Sequence, residues 1–234
     1  MACKNFPNCG NCATSSQSIF SVFNDDELGK ISEKKSYQVI KKGSFIFKEG
    51  LEPKGLYCIH SGNVKITKTT EDGKEQIVRL AKPGNIIGYR ALLCNDRYNA
   101  SAVALEDTAV CFFSKEYYYN LLHSKQEIVN ETINLLTKDL RFAENMMLNM
   151  AQKHVKGRMA EVLLMLEDFY GIYERDGTIN TSLKREDIGR LIGTTTETSI
   201  RIISELVKEG LIELEGKRIR IVNRGKITEL SNKI

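Results

Sequence analysis

The stretch that most constrains the fold is residues 184–210, where two short amphipathic segments are separated by a glycine. In the first segment, apolar residues three and four positions apart mark one face of a helix: Ile188, Leu191 and Ile192. Gly193 is a typical helix terminator, and Thr195 is a candidate N-cap for a second helix. That helix would bury Ile202, Ile203, Leu206 and Val207. The spacing predicts a helix-turn-helix whose second helix enters a DNA major groove.

The free face of this second helix carries side chains suited to base recognition. A guanidinium can donate two hydrogen bonds to guanine, and a carboxylate can accept one from the cytosine amino group. We therefore assign Arg201 to a guanine, Glu197 to a cytosine and Ile200 to a thymine methyl group. Further DNA contacts are expected at the helix start, from Thr195 and Thr196. The alternative is an ordinary surface Glu–Arg pair, which is common at this spacing and contributes only ~0.2–0.5 kcal/mol.

Two alternating segments follow the second helix, at residues 211–214 and 218–222, and Glu215-Gly216-Lys217 between them is typical of a hairpin turn. A helix-turn-helix followed by a small basic hairpin predicts a winged helix. Its cations can neutralise phosphates, and the expected contacts are Lys217 and Arg218, with Arg220 and Arg224 beside them.

Composition narrows the class of protein. The chain has 234 residues, is 41% hydrophobic and 27% charged, and has a net charge of +4, which permits nucleic-acid binding without requiring it. No apolar run is long enough to span a membrane, and the N-terminus lacks an apolar signal-peptide core. We therefore expect a cytoplasmic protein without a membrane partner, whose six cysteines are reduced thiols or ligands rather than disulfides.

Catalytic patterns do not stand out. Between residues 19 and 116, His60 is the only histidine, so a metal site with several histidine ligands cannot form there. Neither a Ser–His–Asp arrangement nor a glycine-rich phosphate loop is recognisable. We therefore expect that the protein is not an enzyme.

The chain divides into four predicted regions. Residues 1–18 form a polar arm with three cysteines. Residues 19–116 contain many short β-rich runs separated by glycines, which is typical of an all-β barrel or roll. Residues 117–151 read as a long helix, and residues 152–234 as the winged-helix DNA-binding domain.

The long helix carries an apolar seam with alternating intervals of four and three residues. Its members are Val129, Ile133, Leu136, Leu140, Ala143, Met147 and Met150. One interpretation is a helix that packs on the core of its own domain. The narrow stripe over about three heptads favours a two-stranded coiled coil instead, so we expect a homodimer.

Taken together, the regions resemble the cyclic-AMP receptor protein/FNR superfamily of bacterial transcription regulators. The resemblance covers nearly the whole chain and depends on four motifs: Gly43-x-x-x-Phe47-x-x-Gly50, Leu56-Tyr57-x-x-x-x-Gly62-x-Val64-Lys65, Pro83-Gly84-Asn85-x-x-Gly88 and Glu197-x-x-x-Arg201. It implies an α+β fold with an N-terminal double-stranded β-helix (a jelly-roll-like β-roll), a long coiled-coil dimerisation helix and a C-terminal winged helix-turn-helix. It also implies a homodimer on two-fold symmetric double-stranded DNA, an effector sensed by the roll, and RNA polymerase as a partner.

The nucleotide-binding motif of this superfamily is altered. Cyclic-nucleotide sensors have a Gly-Glu pair that binds the ribose, and an arginine about ten residues later that pairs with the phosphate. Here Gly88 is followed by Tyr89, and the region of the arginine reads Arg97-Tyr98-Asn99-Ala100. Because Tyr89 supplies no carboxylate, we expect no cyclic-AMP binding.

The FNR branch is the closer resemblance, through Ala102-x-Ala104-Leu105-Glu106 and the following Cys111. FNR proteins carry a [4Fe–4S] cluster on three N-terminal cysteines and one in the roll. Cys9 and Cys12 match the close N-terminal pair, the third arm cysteine would fall near Ser18, and Cys3 lies on the other side of the pair. The candidate ligands are Cys3, Cys9, Cys12 and Cys111.

Two alternatives remain for these thiols: a zinc ion, or free thiols with Cys111 as a small core residue. Cys58 and Cys94 are interpreted as structural, since neither has a partner at ligand spacing. Functionally, the main hypothesis is a dimeric DNA-binding regulator that senses oxygen through the cluster. The alternatives are a cluster- or metal-binding redox protein with incidental DNA binding, and a regulator of the same family with an unidentified small-molecule effector.

Overall fold

The computed structural model of the chain describes residues 8–10, 12 and 14–233. The chain divides into two compact units, residues 1–74 with 78–140, and residues 141–234 with 75–77. The division therefore falls inside the region 117–151 that the sequence predicted as one dimerisation helix, and not at residue 152.

The first unit contains the predicted β-roll, built from two four-stranded sheets. The order of strands is β1-β8-β3-β6 in one sheet and β2-β7-β4-β5 in the other. The pairs β1–β8, β8–β3, β3–β6, β2–β7 and β7–β4 are antiparallel. The strands are β1 (Ser36–Ile40), β2 (Phe45–Phe47), β3 (Gly55–Ser61), β4 (Val64–Thr69), β5 (Glu75–Ala81), β6 (Ile86–Ile87), β7 (Ser101–Ala104) and β8 (Thr108–Ser114).

Helices cover one side of the roll. Two short 3-10 turns, Ser15–Gln17 and Ile19–Val22, lead into α1 (Asp25–Glu33), and α2 (Tyr89–Leu93) follows β6. The start of α1 is a capping box: Asn24 Oδ1 accepts from the Glu27 N–H at 2.9 Å, and the Glu27 carboxylate accepts from the Asn24 N–H at 2.9 Å. Two orphan donors of the helix terminus are thereby satisfied.

Two apolar clusters form the core of this unit. Between the sheets lie Ile59, Val64, Ala81, Ile87, Ala102 and Val110, all nearly inaccessible to solvent. A second cluster lies between the helices and the β1-β8-β3-β6 sheet, and includes Phe20, Leu28, Leu56, Phe113, Tyr118 and Ile128. Three cysteines, Cys9, Cys58 and Cys111, belong to this second cluster.

The region predicted as one helix from 117 to 151 consists of two helices, α3 (Lys115–Ser124) and α4 (Gln126–Gln152). The break occurs at Lys125, whose backbone is extended, with φ −157° and ψ 126°. Tertiary contacts hold this residue: its Nζ donates to Val22 O at 2.9 Å and to Glu27 Oε2 at 3.0 Å, and it lies 5.2 Å from the Phe23 ring centroid. The helix therefore ends at Lys125, where an ion pair with Glu27 and a cation–π contact with Phe23 hold the chain between α3 and α4.

The second unit contains the predicted winged helix-turn-helix. Its elements are α5 (Val155–Tyr170), α6 (Arg185–Ile192), α7 (Thr196–Lys208), β9 (Ile212–Glu215), β10 (Arg218–Ile221) and α8 (Arg224–Ser231). Helices α5 and α8 approach closely at Gly157, where an added Cβ atom would lie 3.1 Å from the Leu230 carbonyl oxygen. A glycine is therefore favoured at this crossing. Among the described residues, no helix has both the length and the apolar character needed to cross a membrane.

Candidate DNA-binding surface and thiol site

The turn between α6 and α7 is defined by one glycine and one threonine. Gly193 adopts the left-handed conformation, with φ 66° and ψ 48°, and ends α6. Thr195 Oγ1 accepts from the Thr198 N–H at 3.2 Å, so the predicted N-cap of α7 is confirmed. Ser199 is fully buried against α6, and its hydroxyl donates to the Arg185 carbonyl at 3.2 Å. These contacts hold the second helix firmly on the first.

The outer face of α7 presents the predicted base-reading side chains. Glu197, Ile200 and Arg201 are exposed, Thr195 is exposed and Thr196 half-buried, while Ile202, Ile203 and Leu206 are buried. Val207, predicted as part of the buried stripe, is 36% exposed because it lies at the edge of that stripe. Hydrogen bonds from its own backbone N–H and from the Thr195 hydroxyl lower the pKa of the Glu197 carboxyl. Glu197 is therefore a charged acceptor at neutral pH.

Arg201 does not pair with Glu197. Its Nη1 donates instead to Glu205 Oε1, one turn further along α7, at 2.6 Å. The guanidinium side chain remains 63% exposed, so screening by solvent keeps this pair weak. Breaking the Arg201–Glu205 pair therefore costs little.

The predicted wing is the antiparallel pair β9–β10, whose turn contains Gly216 in the left-handed conformation, with φ 60°. Most cations of the wing and of the start of α8 have carboxylate partners within the second unit. Arg218 lies 3.0 Å from Asp176, Arg220 pairs with Glu213, and Arg224 contacts Glu167 and Asp168 at 3.1 and 2.9 Å. Among these four cations, Lys217 is exposed at the tip and has no ion pair with the residues that the structure describes.

The predicted seam on α4 is largely open to solvent. Ile133 is 54% exposed, Leu140 60% and Met147 70%, and Ala143 is also exposed. Val129, Leu136 and Met150 are half-buried. This row of unpaired apolar side chains is unusual for a helix that packs only on its own domain, where the apolar stripe faces the core.

The residues of the altered nucleotide-binding motif, Tyr89 and Arg97, make contacts within the protein. Tyr89 is fully buried, and its hydroxyl donates to Asp139 Oδ2 at 2.7 Å. Arg79 Nη1 lies 2.9 Å from the same carboxylate oxygen. Burial raises the pKa of Tyr89, which therefore stays protonated as a donor. Arg97 is exposed, and its Nη1 donates to the Gly50 carbonyl at 3.1 Å.

Four thiols line a single small cavity beneath the arm: Cys9, Cys12, Cys58 and Cys111. Three of these are sequence-predicted ligands. The fourth, Cys58, was interpreted from the sequence as structural, but it lies directly opposite Cys111 in the β3–β8 pairing. Cys3 lies outside the described residues, and Cys94 is exposed elsewhere in the unit.

Polar groups surround the thiols at hydrogen-bonding distance. The Lys35 ammonium donates to Cys9 Sγ at 3.2 Å, and Cys12 Sγ lies 3.3 Å from His60 Nδ1 and 3.2 Å from Thr14 Oγ1. Burial lowers the pKa of His60, and the Lys35 charge lowers it further, so the imidazole is neutral at pH 7. Lys35 is thus a half-buried cation beside the thiols.

Burial raises the pKa of both sheet cysteines, Cys58 and Cys111. For Cys58, the neighbouring thiols of Cys111, Cys12 and Cys9 raise it further, because each disfavours a second negative charge nearby. The two thiols are therefore protonated at neutral pH and must release their protons to bind a metal.

The donor set can be compared with the groups it could hold. Among residues 8–10, 12 and 14–233, no three His, Cys, Asp or Glu side chains are arranged to hold a single metal ion. The zinc alternative also involves Cys3, which lies outside the described residues. A [4Fe–4S] cluster binds one thiolate at each of four irons, and its ligands stand farther apart than the four around a single zinc. Four thiols around one cavity, with a cation beside them, fit such a cluster in chemistry.

Comparison with known proteins agrees with both units. A family model described as a cyclic nucleotide-binding domain matches residues 37–125, and one described as a Crp-like helix-turn-helix domain matches residues 157–230. The first match lies in the β-roll and the second covers α5 to α8.

Relatives extend over nearly the full chain. The fumarate and nitrate reduction regulatory protein of Vibrio cholerae is 30% identical over 229 residues, which cover 95% of this chain and 90% of that protein. The anaerobic regulatory protein of Aggregatibacter actinomycetemcomitans is also 30% identical, with 95% and 87% covered. The structure of FixK2 from Bradyrhizobium japonicum has the same fold, with a TM-score of 0.78, 24% identity and coverage of 86% of this chain and 98% of that one.

The thiol geometry predicts an order of alkylation in the metal-free protein. Because the thiolate is the reactive form, buried thiols with raised pKa react slowly. Iodoacetamide under native, mildly alkaline conditions should label Cys94 first and Cys58 and Cys111 last, by peptide mass mapping over time. Labelling of Cys58 as fast as Cys94 would contradict the burial of the cavity. Labelling in denaturant, where all thiols should react alike, is the control.

Proposed function

This chain belongs to the Crp/Fnr superfamily of DNA-binding transcription regulators, in its FNR branch, and we propose that it acts as an oxygen-responsive homodimer. The protein is a regulator and not an enzyme, as its relatives are. The proposal adds three features: base contacts from α7, a dimer formed by α4, and a [4Fe–4S] cluster on the thiol site. The observation that carries it is the convergence of thiols from the arm and the roll on one cavity.

The base contacts follow from the exposed face of α7. Arg201 would read a guanine, Glu197 a cytosine amino group and Ile200 a thymine methyl, with Thr195 and Thr196 at the helix start. Lys217 and Arg218 on the wing would contact phosphates. In a two-fold dimer, the two half-sites would lie roughly one helical turn of DNA apart, about 34 Å.

The dimer proposal is supported by the open seam on α4. A second copy of the same helix would cover Ile133, Leu140 and Met147 and remove their apolar surface from water. Two-fold symmetry of the protein then matches two-fold symmetry of the DNA. The family resemblance further implies contact with RNA polymerase, and action on the chromosome implies a cytoplasmic location.

The oxygen signal is supported by the donor set and by relatives whose names refer to anaerobic regulation. When bound, an iron–sulfur cluster supplies sensitivity to oxygen. The chain's own residues would hold it with Cys9, Cys12, Cys111 and a further thiolate, and Lys35 would offset part of the negative charge. The neutral His60 beside Cys12 would donate a hydrogen bond from Nδ1 to the thiolate sulfur. No cyclic AMP is expected, because Tyr89 supplies no carboxylate for the ribose and its hydroxyl already donates to Asp139.

The dimer predicts the effect of a charge in the seam. Leu140→Asp would place two carboxylates in an apolar interface, which is strongly unfavourable. We expect a monomer by light scattering and loss of DNA binding. Lys138→Asp introduces the same carboxylate at an exposed position off the seam, with a charge change of two units instead of one; it is the control and should remain dimeric. A Leu140→Asp dimer with unchanged DNA affinity would disprove the seam assignment.

The recognition helix predicts a position-specific loss. Arg201→Ala should cost about 1–3 kcal/mol of binding free energy and relax the sequence requirement at one base position, measured by selection from random DNA. Lys217→Ala should instead weaken binding to all sequences and reduce its salt dependence. An unchanged consensus for Arg201→Ala, or an asymmetric consensus for the wild type, would refute the assignment.

The oxygen proposal predicts a difference between preparations. Protein purified without oxygen should be brown, contain about four irons per chain and bind its DNA site, and exposure to air should bleach the colour and weaken binding. Colourless protein without iron, with equal DNA binding in both preparations, would favour the unidentified small-molecule effector. Cluster-loaded protein whose DNA binding is weak, shows no sequence preference and is unchanged by air would favour the redox protein with incidental DNA binding.

A further inference from the structure

Strand pairing holds the thiols of Cys58 and Cys111 in fixed positions. They are direct partners in the antiparallel pairing of β3 with β8, so their side chains lie on the same face of the sheet. Opposite residues of such a pair have Cβ atoms roughly 4.5–5.5 Å apart. Cys58 is 9% and Cys111 5% exposed, and both face the cavity beneath the arm.

The arm brings the other two thiols to the same face. Cys9 is buried, and its backbone N–H donates to Ser32 Oγ of α1 at 2.6 Å. Cys12 reaches the sheet through its sulfur contact with His60 on β3. The arm and the sheet therefore contribute two thiols each.

Ser18 stands near the position where the third arm cysteine of FNR proteins would fall, and it lines the same cavity. Its hydroxyl is already engaged, since it donates to Ser15 O at 2.8 Å and accepts from the Phe20 N–H at 3.2 Å as the cap of a 3-10 turn. At this cavity the arm thus has a serine where FNR proteins have their third arm cysteine. The sheet supplies an additional thiol, Cys58.

We propose that Cys58 is the fourth ligand of the cluster, so that the ligand set is Cys9, Cys12, Cys58 and Cys111. The inference rests on the proposed function and deepens it by naming the ligand. It replaces Cys3 of the sequence-based set with a residue that the fold itself holds at the cavity. At each position the S–H bond breaks as an S–Fe bond forms, and the proton passes to solvent, with no change of oxidation state at sulfur.

The space between the thiols has a volume of about 20 Å³, which is enough for a single water molecule. A cluster is larger, so one side of the cavity has to yield on loading. Cys58 and Cys111 are held by continuous strand pairing, whereas Cys9 and Cys12 are held by a few local hydrogen bonds. The sheet pair therefore serves as the fixed half of the site and the arm as the half that adjusts.

The experiment uses the full chain, loaded anaerobically with ferrous iron and sulfide. Wild type, Cys58→Ala, Cys3→Ala and Cys94→Ala are compared by iron and sulfide content per chain and by visible absorption, with circular dichroism to verify folding. Cys94→Ala is the matched control, because it removes the same kind of side chain at an exposed position outside the cavity. We expect about four irons in wild type, Cys3→Ala and Cys94→Ala, and three or fewer in Cys58→Ala.

The outcomes separate this inference from the proposed function. A full iron content in Cys58→Ala overturns the inference alone, and loss of iron in Cys3→Ala instead assigns the ligand to the arm. Wild type without iron overturns the cluster itself.

Cys58→Ser covers the case in which Cys58→Ala misfolds. A hydroxyl is a poorer ligand for iron than a thiolate, so this variant should lose iron or show a shifted visible spectrum and reduction potential. An unchanged spectrum and potential would show that residue 58 does not bind the cluster.

Discussion

The antiparallel pairing of β3 with β8 is the constraint on which the first unit depends. Because side chains alternate along a strand, this pairing directs Ile59 and Val110 to the core between the sheets. The same alternation directs Cys58, Cys111 and Phe113 to the other face, beneath the helices. A slip of one residue would exchange the two faces, so the apolar core and the thiol site are set by the same register. Burial of the core therefore also fixes the position of the two sheet thiols.

The arm and the long helices are joined to this sheet through a few defined contacts. Lys125, at the break between α3 and α4, bonds to the carbonyl of Val22 and to Glu27, which also caps α1. Tyr89 and Arg79 both contact Asp139 near the middle of α4. Hydrogen bonds thus connect three elements: the 3-10 turn that Ser18 caps, the helix α1 and the start of α4. A change at the arm has a physical route to the helix that carries the apolar seam.

The DNA-binding unit was predictable because its signals are local. Helical periodicity, Gly193 as a terminator and the Thr195 cap lie within a few residues of one another, and they define α6 and α7 without any distant contact. The break at Lys125 was not predictable in this way, because its cause is a set of partners about a hundred positions earlier in the chain. The partnership of Cys58 with Cys111 is likewise invisible to spacing rules, since a strand register joins residues far apart in sequence. The Arg201–Glu205 ion pair could have been predicted from the sequence, because Glu205 stands four residues after Arg201 on the same helix.

The carboxylates paired with the cations proposed to contact DNA limit the affinity of the protein for DNA of arbitrary sequence. Arg201, Arg218, Arg220 and Arg224 each have an acidic partner in the second unit, and the net charge of the whole chain is only +4. Affinity for random DNA comes almost entirely from cations that displace counterions, and cations that are already neutralised displace fewer. A protein with such pairs would gain little from the phosphates of arbitrary DNA, and Arg201 would leave Glu205 only where a base edge compensates for the lost ion pair. Against the roughly 10⁶–10⁹ competing sites of a genome, weak general binding would leave more of the regulator available for its specific sites.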